Sequence, residues 1–155
     1  MPGIVRAPHQ GKVVETMGNR LTTLIASAET AGARSMVDFE VAKGFVAPPI
    51  KHSHPDLDWQ GVVTEGEVAI ELDGVVHTVV TGGVVWVPRG TVFRWWNPSA
   101  DRPARWLLTY TPGGFEGYFA EIADAVAALG RAPTPQDLGA IARPLWKKYG
   151  LDVHG

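Results

Sequence analysis

The chain has no cysteine among its 155 residues, which excludes disulfides, thiolate metal ligands and cysteine nucleophiles. It has no run of about 18 apolar residues, so the sequence predicts no membrane span. Its formal net charge is −2 and no cluster of Lys and Arg stands out, which argues against nucleic acid as a partner. The first residues lack the basic and then apolar pattern of a secretory signal. We therefore expect a cytoplasmic protein that contacts neither membranes nor nucleic acid.

The composition is that of a globular domain. Apolar residues make up 45% of the chain and charged residues 19%, which is typical of a folded domain with a sizeable core. No clear period is visible before residue 20. We predict an N-terminal arm and edge strand over residues 1–34, a β-barrel over residues 35–112, and C-terminal helices over residues 113–155.

Short β-rich runs alternate with turns that contain Gly, Pro and Asp. Asp73-Gly74 between two apolar runs is typical of a tight hairpin. Many short strands at this spacing indicate a sandwich, a jelly roll or a small barrel. The predicted strands are Leu21–Ala26, Ser35–Val41, Gly61–Thr64, Val68–Leu72, Val75–Val80, Val84–Val87, Phe93–Trp96 and Arg105–Thr111.

Helical spacing replaces this pattern after residue 114. Gly130 is the expected end of a first helix, and Thr134 with Pro135 is a good start for a second one. Pro144 should kink or interrupt that second helix. We expect both helices to pack on the outside of the barrel. The apolar positions of the first helix are Phe115, Tyr118, Phe119, Ile122, Val126 and Leu129.

A pair of histidines, His52 and His54, is the clearest candidate for chemistry. Imidazoles two residues apart on an extended chain point to the same side, as they do where a β-barrel directs two ligands at one metal ion. A complete site needs a third and a fourth donor, usually a carboxylate and another imidazole. Histidine also titrates near neutral pH, so the pair could instead transfer protons.

These residues resemble the cupin superfamily, in particular the small single-domain cupins that are similar to quercetin dioxygenases. The first cupin motif is matched by His52-Ser53-His54 and Gly66, with Trp59 in the family's glutamate position. The second motif has Phe93 in the family's histidine position. Its remaining matches are Gly82, Pro88, Arg89, Gly90 and Asn97. Pro48-Pro49 also fits the segment that precedes the first motif.

The resemblance implies an all-β cupin double-stranded β-helix, or jelly-roll barrel, with two C-terminal α-helices, and a homodimer. It also implies a metal held by two histidines and a glutamate of the first motif and a histidine of the second. Only His52 and His54 carry over, so we expect no definite cofactor. A divalent Fe, Ni, Zn or Mn ion at His52 and His54, completed by other donors, remains a possible cofactor.

Aromatic rings stand where the family's other metal ligands would be. If Phe93 faces the lumen, Trp95 shares its side, and we predict that both contact a substrate together with Trp59. Tyr110 is a further candidate, since Trp106, Leu108 and Tyr110 form one face of their strand. Core packing is the commoner role for any single ring. A cavity lined by rings suits a flat organic ligand.

We also predict that Asp58 and Gln60 hydrogen-bond the polar end of the substrate, although a solvated turn is the simpler interpretation of Asp58. The first functional hypothesis is a small-molecule enzyme for a hydrophobic, aromatic or polyketide-like substrate. It would catalyse a non-redox cyclisation, isomerisation or dehydration, with His52 or His54 as the general acid or base. A metal-dependent dioxygenase and a non-catalytic binding module are the alternatives.

Overall fold

The structure of the protein is a computed structural model, and it describes residues 3–47 and 51–155. Pro48-Pro49, predicted to flank the first motif, lies outside the described residues. Besides a short 3-10 helix at Ser27–Thr30, the elements are β1 Lys12–Thr16, β2 Asn19–Ile25, β3 Ser35–Val41, β4 Lys51–Ser53, β5 Asp58–Glu65, β6 Glu67–Leu72, β7 Val75–Val80, β8 Val84–Val87, β9 Phe93–Trp96, β10 Ala104–Thr111, α1 Glu116–Ala128, α2 Pro135–Lys148 and β11 Asp152–His154.

The strands form two antiparallel sheets. One has the order β1-β2-β3-β10-β5-β8 and the other the order β11-β4-β9-β6-β7. Their inner faces share one hydrophobic core, which is the layered arrangement of a jelly roll. The predicted all-β fold with two C-terminal helices is confirmed. The least exposed core side chains, at 1% or below, are Val37, Val41, Val63, Val68, Ile70 and Trp106.

Side-chain alternation decides which residues of each strand face the core. On β9, Phe93 and Trp95 are both buried, as predicted from their spacing of two residues. On β10, which pairs with both β3 and β5, Trp106, Leu108 and Tyr110 are buried on one face. The two faces that were expected to line the lumen therefore do so.

The remaining residues of the two motifs hold turns. Gly66 has φ of +69°, and a Cβ at this position would lie 2.9 Å from the carbonyl oxygen of Pro103, so glycine is required there for two reasons. The Asn97 side chain is 2% exposed. Its Nδ2 donates to the carbonyls of Ala42 and Arg102 at 3.1 and 2.9 Å. These motif positions stabilise the barrel independently of any ligand.

Both predicted helices form, at nearly the predicted limits. Thr134 accepts a hydrogen bond from the backbone N–H of Asp137 at 3.2 Å and caps α2. α2 continues through Pro144, so the predicted interruption is wrong. The carbonyl that Pro144 leaves without its helical partner belongs to Ala140, which is exposed and can be hydrated. Neither helix in the described chain has the length and apolar character needed to cross a membrane.

β1 pairs with β2 at the edge of the six-stranded sheet, within the segment predicted as an N-terminal arm and edge strand. Two short strands, β4 and β11, were not predicted. β4 and β11 pair with each other, which places Val153 opposite His52. A strand of three residues is too short to show alternation, and the partner of β4 follows it by about one hundred residues of chain. Only the tertiary arrangement brings these two strands together.

Candidate functional site

A cavity of about 80 Å³ lies within the barrel. The strands supply an aromatic wall, and α1 supplies a second one. Among the described residues, no Lys, Arg, Asp or Glu lines the cavity. The aromatic and histidine side chains on or next to the strands are Phe39, His52, His54, Trp59, Phe93, Trp95, Trp106 and Tyr110. Phe115, just before α1, and Tyr118, Phe119 and Ile122 within it form the second wall. The other lining residues are Thr16, Met17, Asn19, Leu21, Phe45, Ala47, Leu108 and Leu151.

The histidine pair faces this cavity, as predicted. His52 is 7% exposed and His54 is 3% exposed. Their ring centroids are 5.3 Å apart and their planes are nearly perpendicular, at 88°. His52 lies opposite Phe93 in the pairing of β4 with β9, and the carbonyl of His54 accepts from the N–H of Gly90 at 2.8 Å. The two cupin-like motifs are thus joined to each other directly through their backbones.

Carbon rings occupy the space in which further metal ligands would have to lie. The ring of Phe93 is 4.4 Å from that of His52 and 5.7 Å from that of His54. The ring of Trp59 is in turn 5.1 Å from Phe93. Across the described residues there is no group of three or more His, Asp or Glu side chains that could hold a metal ion. Two imidazoles are fewer than the three or four protein ligands of a zinc-type site, so this donor set does not fit a resident metal.

Burial controls the charge of His54. Loss of hydration lowers its pKa to about 3, the nearby His52 acts in the same direction, and a hydrogen bond with the backbone of Gly150 opposes both. His54 is therefore neutral at pH 7. A neutral imidazole has one nitrogen that donates and one that accepts. Nδ1 of His54 is buried without a partner, and a ring protonated on Nε2 would present a lone pair there.

Two indole groups of the cavity wall also have unmet hydrogen-bonding capacity. Nε1 of Trp59 and Nε1 of Trp106 are buried and have no partner. The two rings are 5.6 Å apart and meet edge to face. Burial raises the pKa of Tyr110 well above its usual range, so its phenol is neutral as well. The cavity is an uncharged surface with a few polar atoms set among rings.

Two of the predicted substrate contacts lie elsewhere. Asp58 and Gln60 flank the inward-facing Trp59, and alternation along β5 directs them to the opposite face. Asp58 accepts from Nη2 of Arg89 at 2.7 Å and from its backbone N–H at 2.8 Å. This contact lowers the pKa of the Asp58 carboxyl. Gln60 is exposed, beside Trp86 in the pairing of β5 with β8. The prediction that Asp58 and Gln60 hydrogen-bond a substrate inside the barrel is therefore wrong, because both side chains lie on the outer face of β5.

The contribution of α1 to this site was not evident from the sequence. Phe115 lies edge-on to His54 at 4.6 Å and stacks on Tyr118 at 5.1 Å, while Phe119 meets Phe39 at 5.7 Å. Their helical spacing indicated a buried stripe, but spacing does not say what the stripe packs against. α1 thus forms part of the cavity wall, in addition to covering the barrel from outside.

These features define a small antiparallel barrel with an internal, aromatic site. The family model described as "Cupin domain" matches residues 37–110. This match supports the assignment of the chain to the cupin superfamily. The narrower resemblance to quercetin dioxygenases stays a prediction. No curated protein matches the sequence.

Several solved structures share this fold. KdgF from Halomonas sp. is similar with a TM-score of 0.63 and 16% identity, covering 75% of this chain and 99% of that chain. The polyketide cyclase RemF from Streptomyces resistomycificus has a TM-score of 0.59 and 19% identity, with coverage of 70% and 80%. Pac13, a nucleoside dehydratase, has a TM-score of 0.57 and 15% identity, with coverage of 75% and 88%. At sequence identities this low, the similarity to these three structures shows a shared fold and nothing further.

Proposed function

We propose that the protein is a small-molecule enzyme that binds an uncharged, hydrophobic and partly aromatic substrate in the barrel. It catalyses a non-redox cyclisation, isomerisation or dehydration by acid–base chemistry at the histidine pair. The observation that carries this proposal is the position of His54, a buried neutral imidazole with an unpartnered Nδ1, in the wall of an aromatic cavity. That a polyketide cyclase and a nucleoside dehydratase share the fold is consistent with it.

In the proposed reaction, Nδ1 of His54 accepts a proton from a C–H or O–H group of the substrate. The proton is then returned at another atom, which isomerises or closes the skeleton, or it leaves with a hydroxyl group as water. A positioned proton-transfer group of this kind accelerates a reaction by about 100- to 10,000-fold. The ring of His52, 5.3 Å from that of His54, is the second proton-transfer group of the proposal.

The low pKa of His54 makes it a weak base in the empty cavity. Negative charge that develops on a bound substrate would stabilise the imidazolium and raise that pKa. Proton transfer and charge development would therefore stabilise each other in the transition state, in a site where a bound substrate would displace water from between the rings of Trp59, Phe93 and Trp95.

The size of the cavity bears on the substrate. A volume of about 80 Å³ is below the range of roughly 300–1,000 Å³ typical of pockets for drug-sized ligands. A compound of about one ring suits the cavity as it stands. A larger, polyketide-like skeleton would require α1 to move outward, since Phe115, Tyr118 and Phe119 occupy that wall.

The test is a comparison of metabolite turnover by the wild-type chain and a His54→Asn variant. Each protein is incubated with an extract of the cells that produce it naturally, and consumed and formed compounds are identified by mass spectrometry. The proposal expects products of unchanged mass, or products that have lost one water, which disappear with His54→Asn and persist with the surface variant Trp86→Phe. Products that gain oxygen only when iron or nickel is added would instead support the dioxygenase. A compound that is bound but recovered unchanged would support a binding module.

A further inference from the structure

We propose that the cavity selects an uncharged hydroxy-carbonyl compound of about one ring, which donates its hydroxyl to Nδ1 of His54 and accepts from the indole N–H of Trp59 or Trp106. This inference rests on the proposed function, because it defines the substrate class of the same cavity.

Charge is the first restriction. In the part of the chain that the structure describes, the ionisable side chains on the cavity wall are His52, His54, Tyr110 and Tyr118, and no carboxylate or guanidinium reaches it. A ligand carboxylate or phosphate would lose its hydration on entry, at a cost of several kcal/mol. No Lys or Arg is present to compensate that loss. A ligand ammonium group would likewise find no Asp or Glu. The cavity should therefore reject ions of either sign.

Unmet hydrogen bonds are the second restriction. An indole N–H can only donate, and Nε1 of Trp59 and of Trp106 both lack an acceptor. These residues are 4% and 0% exposed, so bulk water does not serve them. A buried donor without a partner costs about 1–3 kcal/mol. A carbonyl oxygen on the ligand would recover that free energy without bringing a charge into the cavity.

His54 adds the complementary requirement. Its Nδ1 is unpartnered in a residue that is 3% exposed, and a neutral ring protonated on Nε2 has its lone pair on that atom. A lone pair in this setting selects a hydroxyl or another acidic hydrogen on the ligand. One ligand satisfies both kinds of atom if it has a hydrogen-bond donor and an acceptor, and a carbonyl is an acceptor that brings no charge.

Volume and shape are the third restriction. One water needs about 10–15 Å³ of cavity volume, counted as the space open to its centre, so a cavity of about 80 Å³ holds roughly five to eight waters. That is the scale of one substituted ring. Phe93 is 5.1 Å from Trp59, and Trp95 is 4.8 Å from Trp106, so the wall presents ring faces and edges to a flat ligand.

The experiment measures binding of four matched probes to the full-length protein by isothermal titration calorimetry. 3-Hydroxyacetophenone carries both groups, acetophenone lacks the hydroxyl, 3-ethylphenol lacks the carbonyl, and 3-hydroxybenzoate replaces the ketone by a carboxylate of similar size. We expect 3-hydroxyacetophenone to bind most tightly and each missing group to weaken binding by about tenfold, the worth of one hydrogen bond. The carboxylate should bind at least about 100-fold more weakly.

Variants assign these differences to side chains. Trp59→Phe or Trp106→Phe keeps a ring but removes the N–H. At least one of them should abolish the preference for 3-hydroxyacetophenone over 3-ethylphenol. His54→Phe should abolish the preference over acetophenone. Trp86→Phe is the matched control, because Trp86 is 64% exposed and lies outside the cavity, so all four affinities should be unchanged.

Three results would overturn the inference: equal or tighter binding of 3-hydroxybenzoate, no effect of either indole variant, or no measurable binding of 3-hydroxyacetophenone at millimolar concentration. The outcome is separable from that of the proposed function. The expected probe pattern without metabolite turnover would leave the ligand class intact and refute the enzyme. Turnover of an anionic metabolite that requires His54 would do the reverse.

Discussion

Restoring the two missing metal ligands is the most direct test of how this cavity differs from a metal site. In the double variant Trp59→Glu with Phe93→His, a carboxylate and a third imidazole would join His52 and His54. The ring of Phe93 lies 4.4 Å from that of His52, and the ring of Trp59 lies 5.1 Å from that of Phe93. We therefore expect the introduced donors to lie near the histidine pair. We expect this variant to bind Zn²⁺ and the wild-type protein not to.

The size of the effect follows from burial. Trp59 and Phe93 are 4% and 2% exposed, and removal of a large buried ring costs about 3–5 kcal/mol, so the metal-free variant should be clearly destabilised. Zn²⁺ at 100 times its dissociation constant would return about 2.7 kcal/mol. For a chain of this length each kcal/mol moves Tm by about 2–4 °C. The expected rise on adding zinc is therefore about 5–11 °C.

The assay is thermal unfolding with ZnCl₂ and again after EDTA. Phe93→His alone exchanges one ring for another and is the milder variant if the double one fails to fold; it should show a smaller rise of the same sign. Trp86→Glu, which introduces a carboxylate on the surface, controls for nonspecific binding and should show no rise. An equal rise in the wild-type protein would refute the claim that its donor set does not fit a metal. If zinc raised the Tm of neither cavity variant, the inference that positions 59 and 93 direct side chains toward the histidine pair would be refuted.

Three further predictions concern stability and assembly. His54 has a pKa of about 3 when folded and about 6.5 when unfolded, so between these values the unfolded chain binds more protons. The contribution of His54 to stability is complete above about pH 6.5 and falls by up to about 1.4 kcal/mol per pH unit as the pH drops toward 3; urea titrations of His54→Phe should show a flatter pH dependence, and an unchanged slope would contradict the burial argument. Gly61→Ala would place a methyl 2.9 Å from the ring of Trp106 and should lower the free energy of unfolding by about 1–3 kcal/mol. A Cβ at Gly139 has no neighbour within 4 Å, so Gly139→Ala should raise the free energy of unfolding by about 0.5–1 kcal/mol. If urea unfolding showed Gly61→Ala to be the more stable of the two variants, the barrel would have to repack freely around the added methyl group. The homodimer expected from the resemblance is checked by light scattering, where a mass of twice 16.7 kDa supports it and the mass of one chain rejects it.

The fold was predictable where the chain repeats a local pattern. β3, β7, β8 and β9 were predicted at their observed limits, because short runs rich in β-branched and aromatic residues between turn residues define a strand without reference to the rest of the protein. The first helix followed from its spacing in the same way. β4 and β11 were missed because three residues carry no period, and their pairing depends on chain segments that lie far apart.

The site was predictable in part. His52, His54, Trp59, Phe93, Trp95 and Tyr110 were predicted to face the lumen, and the structure places all six in the cavity wall. Asp58 and Gln60 were misplaced, although the alternation that put Trp59 inside already directs them outward. The stripe that includes Phe115 and Tyr118 was recognised as apolar, but its contact with His54 was not foreseeable.

Local residue order was thus sufficient to predict a cupin-like barrel with two ring side chains in the positions of metal ligands, since strand alternation and motif spacing act over a few residues. The volume of the cavity, the approach of Phe115 to His54 and the burial that keeps His54 neutral depended on the folded protein. Each of these depends on distances between segments remote in sequence, and such distances are set by packing of the whole core.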